Sequence, residues 1–241
     1  MISGSLRSLL PASDPGPRSY GGWGALVQPV ALVALVLAFF APAAGSSAAA
    51  ERAVRIVALG DSLTAGLGLP ADAAFPVRLE QALRAKGLAV EISNAGVSGD
   101  TASGGLARLD WSVPEGTDAV ILELGANDAL RGTDPTVTRH ALDSILAALA
   151  KRNISVLLCG MLAPRNLGAD YARAFDPIFP ELARTYGSVF YPFFLEGVAA
   201  DAKLNQQDGL HPTAAGVDVI VAKILPKVEE LIARVRAKQG T

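Results

Sequence analysis

The chain has 241 residues, 51% of them hydrophobic, and a formal net charge of −2. That length suits one mid-sized domain after a targeting segment, and the balance of apolar and charged residues excludes a disordered chain and a polyanion-binding surface, so nucleic acid is not an expected partner. A single cysteine, Cys159, and two histidines, His140 and His211, exclude an internal disulfide and offer no Cys/His cluster, so neither metal nor cofactor is expected.

Residues 1–50 differ from the rest. Arg7 and Arg18 give a mildly basic start, residues 30–40 form an uninterrupted apolar run, and small residues follow from Ala41 to Ala50. Basic region, short apolar core and Ala-x-Ala sites predict a secretory signal peptide, cleaved near Ala43 or Ala50, with an uncleaved anchor as the alternative. Residues 51–241 are then the folded domain, exported to the periplasm or beyond the cell and without stable membrane association once cleaved.

From there short apolar runs alternate with helical patterns. Residues 54–59, 89–92, 119–124, 154–158 and 188–191 read as strands. Residues 75–86, 101–110, 135–152 and 170–186 read as the helices between them, and 213–236 closes the chain. Near-continuous apolar strands, each followed by a helix, predict a five-stranded parallel sheet in a three-layer α/β/α sandwich. Ligands of such sheets bind beyond the carboxyl ends of the strands. Four unusual segments fall there: Gly60-Asp61-Ser62-Leu63, Ser98-Gly99-Asp100-Thr101, Gly125-Ala126-Asn127-Asp128 and the stretch from Gly160 to Gly168. Asp208-Gly209-Leu210-His211-Pro212 enters the same edge before the last helix.

An aliphatic serine is nucleophilic at neutral pH only beside a base, and the base needs a third group to fix its tautomer. Ser62 ends a strand. His211 follows Asp208 by three positions, a spacing that brings two side chains to one face of a helical turn, so Asp208 can hold one ring nitrogen and leave the other free. His140, within a helical pattern, reads as structural, and Cys159 as a small core residue. Gly99 can present an unobstructed amide, and Asn127 a carboxamide, to a developing oxyanion. Taken singly, each of these residues is ordinary in a turn. Asp208 also suits a helix start.

In order and spacing the blocks at Ser62, Gly99, Asn127 and Asp208 to His211 resemble those of the GDSL or SGNH hydrolases. Met161-Leu162-Ala163-Pro164-Arg165-Asn166-Leu167-Gly168 and the longer matches around Gly99 and Asn127 resemble the arylesterase and thioesterase I (lysophospholipase) branch. The resemblance covers residue 54 to the last helix. It implies Ser62 as nucleophile, His211 as general base then acid, Asp208 as its orienting partner, and an oxyanion hole from the Ser62 and Gly99 amides and the Asn127 carboxamide. Asp61 would be structural.

The substrate so implied is a small acyl ester, aryl or short to medium in chain, with acyl thioesters and lysophospholipids as further candidates. Leu162, Pro164 and Leu167 would line the acyl pocket; Leu167 stands where relatives often carry Tyr, and Thr213 where Asn often follows His-Pro. A carbohydrate O-acetylesterase and a non-catalytic periplasmic binding protein on the same scaffold remain alternatives. The absence of a Gly-x-Ser-x-Gly elbow separates this reading from the α/β-hydrolase fold.

Overall fold

A computed structural model of the chain describes residues 52–240. The expected signal peptide therefore lies outside the described residues. Five strands, β1 (Val54–Gly60), β2 (Val90–Gly96), β3 (Ala119–Glu123), β4 (Ser155–Cys159) and β5 (Val189–Tyr191), pair in the order β2-β1-β3-β4-β5, and every pair is parallel. All residues of β3 and β4 are buried and only Arg55 of β1 is exposed, which requires cover on both sheet faces.

Two groups of helices supply that cover. On one side α9 (Ala214–Gln239) packs on α2 (Phe75–Ala85), β4 and β5; on the other α6 (Pro135–Lys151) packs on α3 (Ala102–Ala107), α8 (Ile178–Tyr186) and β4. The core between them is aliphatic with a few aromatics, Phe75, Phe175, Phe179 and Phe194 among its largest fully buried side chains. The expected three-layer α/β/α architecture is thus present.

Local differences have physical causes. β2 extends four residues beyond Ile92, through a polar Ser93-Asn94 stretch, because its register against β1 continues to the Gly60 and Gly96 pair. The helix expected over 170–186 is two, α7 (Ala169–Phe175) and α8, divided at Asp176-Pro177. Pro177 has no amide to donate, so the hydrogen-bond ladder breaks there although Asp176 itself keeps helical angles. Likewise 101–110 resolves into α3 and a short α4 (Leu109–Ser112). Two further short helices lie at strand ends, α1 (Ser62–Ala65) after β1 and α5 (Ala126–Leu130) after β3.

Candidate active site

β1 delivers Ser62 to the first position of α1. Asp61 caps that helix, its Oδ1 accepting from the Leu63 amide at 2.9 Å, and Gly66 ends it in the left-handed region at φ 81°. Gly60 makes the turn possible: a Cβ there would lie 2.1 Å from Thr64 Oγ1 and 2.6 Å from Glu123 Oε2. The result holds Ser62 at the carboxyl edge of the sheet, 7% exposed.

The partner loop comes from the far end of the chain. Ser62 Oγ lies 2.8 Å from His211 Nε2, and His211 Nδ1 lies 2.6 Å from Asp208 Oδ2. The spacing of three does bring Asp208 onto His211, but through a turn and not a helix: Asp208 Oδ1 accepts the amides of Leu210 at 2.9 Å and His211 at 3.0 Å. These amides and the imidazole together hold the Asp208 carboxyl down at about 2, the His211 amide contributing most. The loop is pinned behind the site by Gln206, whose side-chain amide donates to the carbonyls of Leu67 and Pro212, and by the Asn205 to Pro212 bridge. Thr213 then caps α9. Such a relay can take a proton from the Ser62 hydroxyl and return it to a leaving group.

The remaining expected groups sit around the same serine. Gly99 lies in the loop between β2 and α3 at φ 84°, a conformation that a side chain would strain. Neither its amide nor that of Ser62, at the first turn of α1, has a hydrogen-bond partner among the described residues. Asn127, on α5, lines a cavity of about 250 Å3 together with Ser62 and His211. Gly125 lets the chain turn from β3 into α5 at φ 110°, where a Cβ would meet the Phe179 ring at 3.0 Å. Leu162 and Pro164 line that cavity; Leu167 does not, and stands in a 3-10 turn with its methyl toward Gly132. Leu63, Leu130, Met161, Phe193, Leu195 and Leu210 are among the residues that make the wall mostly apolar. His140 is exposed on α6, and Cys159 is buried at the end of β4, its thiol pushed up by burial and by the nearby Glu123.

Several residues shape the site in ways that the sequence did not assign to them, although Asp61 was expected to be structural. Asp61 is fully buried and its Oδ2 accepts from Asn127 Nδ2 at 3.0 Å, so it orients the carboxamide as well as capping α1. Below it Glu123, also fully buried, accepts from Thr64 Oγ1 at 2.7 Å and from the Asp61 amide at 3.3 Å through one oxygen, while the other has no partner. Burial first, then the Asp61 charge, pushes the Glu123 carboxyl well above the usual range, and burial lifts Asp61 to about 6 against the pull of the Leu63 amide and Asn127. Arg131, at the end of α5, donates to the Gly99 carbonyl at 2.8 Å and so links the two regions that carry the expected donors. Among the described residues no group of His, Cys, Asp and Glu is arranged to hold a metal ion.

A parallel sheet bearing a Ser, His and Asp relay at its carboxyl edge defines a serine hydrolase. More narrowly, the chain belongs to the GDSL-like Lipase/Acylhydrolase family, whose pattern matches residues 58–219. It is 37% identical over 184 residues to the arylesterase of Vibrio mimicus, spanning 76% of this chain and 90% of that protein. Over 184 residues it is 35% identical to thioesterase 1/protease 1/lysophospholipase L1 of Escherichia coli K12, spanning 76% and 87%. Among solved structures, the SGNH-hydrolase family esterase AlinE4 is 46% identical with a TM-score of 0.63, covering 74% of this chain and 96% of that one. The crystal structure of TesA is 34% identical with a TM-score of 0.70, covering 73% and 99%. The chain is a carboxylic-ester hydrolase of the serine esterase type.

Proposed function

We propose that the enzyme hydrolyses acyl esters through an acyl-enzyme on Ser62, and the single observation that carries this reading is the unbroken relay from Ser62 Oγ through His211 to Asp208. Ser62 Oγ adds to the ester carbonyl as His211 Nε2 takes its proton, and Asp208 stabilises the imidazolium at Nδ1. The negative charge on the carbonyl oxygen meets the amides of Ser62 and Gly99 and the second N–H of Asn127, the first being committed to Asp61. His211 gives its proton to the departing alcohol or thiol. A water deprotonated by His211 then releases the acid and restores Ser62.

The apolar wall supports acyl esters of short to medium length, aryl esters included. Acyl thioesters and lysophospholipids fit the same chemistry, since Ser62 adds to the acyl carbonyl in each and only the leaving group differs. We place the enzyme in the periplasm or outside the cell, a reading supported by the basic, apolar and small-residue succession in residues 1–50. No helix among the described residues is long and apolar enough to cross a membrane.

The test is intact-protein mass spectrometry after a serine-directed phosphonofluoridate probe, with peptide mapping. One adduct, on Ser62, is the expected result, and the mass of the mature chain reports the cleavage site in the same sample. A folded protein that takes no adduct would overturn the acyl-enzyme reading.

A further inference from the structure

Arg108 is the one basic side chain buried among the described residues, and its donors reach the end of β1, the end of β2 and the loop that follows it, and α4. Its Nε donates to Asp100 Oδ2 at 2.6 Å, Nη1 to the Ala95 carbonyl at 2.8 Å and Ser112 Oγ at 3.0 Å, and Nη2 to the Gly60 carbonyl at 2.8 Å. The Trp111 ring lies with its centroid 6.0 Å from the guanidinium carbon. Gly60 stands two residues before Ser62, and Asp100 directly follows Gly99.

We infer that Arg108 is a positioning residue for the oxyanion hole: by joining the Gly60 carbonyl to Asp100 it sets the separation of the Ser62 and Gly99 amides. The inference rests on the role proposed above for those two amides. Each loop has ties of its own, Asp61 to Leu63 and Glu123 on one side and the Gly99 carbonyl to Arg131 on the other, but Arg108 is the side chain that bonds both at once. Gly99 is exposed, and between Gly60 and the loop backbone runs one further bond, from the Val97 amide to the Gly60 carbonyl at 3.0 Å. Donors aimed at a developing charge are effective only when held in place beforehand, and a displacement near 1 Å costs roughly 100-fold in rate.

The chemistry requires arginine. Four acceptors on three segments lie in three directions from one planar group, which matches the rigid five-donor fork of a guanidinium. A lysine ammonium at the same position keeps the charge beside Asp100 but cannot span Asp100 and the Gly60 carbonyl together. An arginine that merely braced β2 against α3 would affect folding stability without discriminating between substrate and transition state.

The experiment compares Arg108→Lys and Asp100→Asn with Asn127→Ala on an aryl ester, together with the affinity of an alkylboronic acid, which forms a tetrahedral adduct on Ser62. Ground-state binding is read separately, as the Kd of the ester for Ser62→Ala with and without Arg108→Lys. We expect Arg108→Lys to lower kcat/KM about 10- to 100-fold and boronic acid affinity in parallel, with the ester Kd unchanged within about twofold. Asp100→Asn should move both in the same direction and decides the matter if Arg108→Lys does not fold. Loss of rate with full boronic acid affinity would overturn the inference. If Asn127→Ala is impaired while both other variants keep full rate, the inference fails alone. Should all three keep full rate, the oxyanion-hole reading fails with it.

Discussion

Asn127 Nδ2 donates to Asp61 Oδ2 at 3.0 Å, so the carboxamide beside the nucleophile is oriented by the residue that precedes the nucleophile. One carboxylate thereby caps the helix that begins with Ser62 and aims a donor on a different helix. Replacing Asp61 with Ala should release both. We expect kcat to fall about 10- to 100-fold, short of or equal to the loss of one oxyanion donor. Steady-state kinetics against the effect of Asn127→Ala checks this. The two substitutions should be far from additive, because they remove one shared contact; additive losses would mean that Asp61 acts independently of Asn127.

The buried pair of Asp61 and Glu123 makes stability depend on pH. The folded carboxyls sit above their unfolded values, so between those values the native state binds more protons than the unfolded chain, and stability falls as pH rises. One such proton limits the slope to about 1.4 kcal/mol per pH unit. Glu123→Gln keeps an acceptor for Thr64 and the Asp61 amide and removes the Glu123 titration, leaving that of Asp61. Urea unfolding of wild type and variant at pH 5 and pH 8 should show a smaller loss of stability in the variant, and equal losses would place the proton elsewhere.

Asp208 has the opposite sign. Its carboxyl is held near 2, so its support of the His211 turn is complete above the ordinary aspartate range and lost as pH falls through about 2. A carboxyl 13C NMR titration of the folded enzyme should find a midpoint near that value, whereas an ordinary aspartate midpoint would sink the pairing with His211. Asp208→Asn should lower kcat by roughly 100- to 10,000-fold while leaving the thermal midpoint little changed, since the residue is exposed.

Leu162 is 42% exposed at the rim of the cavity that holds Ser62, and an acyl chain extending past it removes apolar surface from water. Each buried methylene contributes about 0.8 kcal/mol, close to fourfold in kcat/KM. A series of p-nitrophenyl esters from acetate upward should therefore rise with chain length until the wall is covered, and Leu162→Ser should flatten the rise without altering acetate turnover. A wild-type optimum at acetate would favour a carbohydrate O-acetylesterase.

The sequence made the central strands legible because β1, β3 and β4 are apolar but for Arg55, Glu123 and Ser155, and their ends agree with the expected ones to within a residue. It hid the end of β2, where Ser93 and Asn94 lie on a sheet edge and owe their strand conformation to pairing with Val57 and Ala58. The short helices α1 and α5 offer too few residues for a periodicity to show. Ser62, Gly99 and Asn127 were readable as residue types after strands, and Asp208 and His211 as a pair in the loop before the last helix. Arg108, Arg131 and Glu123 were not, since their contacts reach 48, 32 and 59 residues along the chain and leave no local pattern. Leu167 fell outside the cavity because the turn at residues 165–167 carries it away from Pro164.

Ser62 and His211 are 149 positions apart, and the histidine is held by the turn that leads into α9 and by the Gln206 contacts behind it. A nascent chain that has completed all five strands but not yet reached that turn holds its serine with no base beside it. Esterase activity thus appears only when the last segment docks, and its onset in a refolding experiment would time the closure of the fold rather than the formation of the sheet.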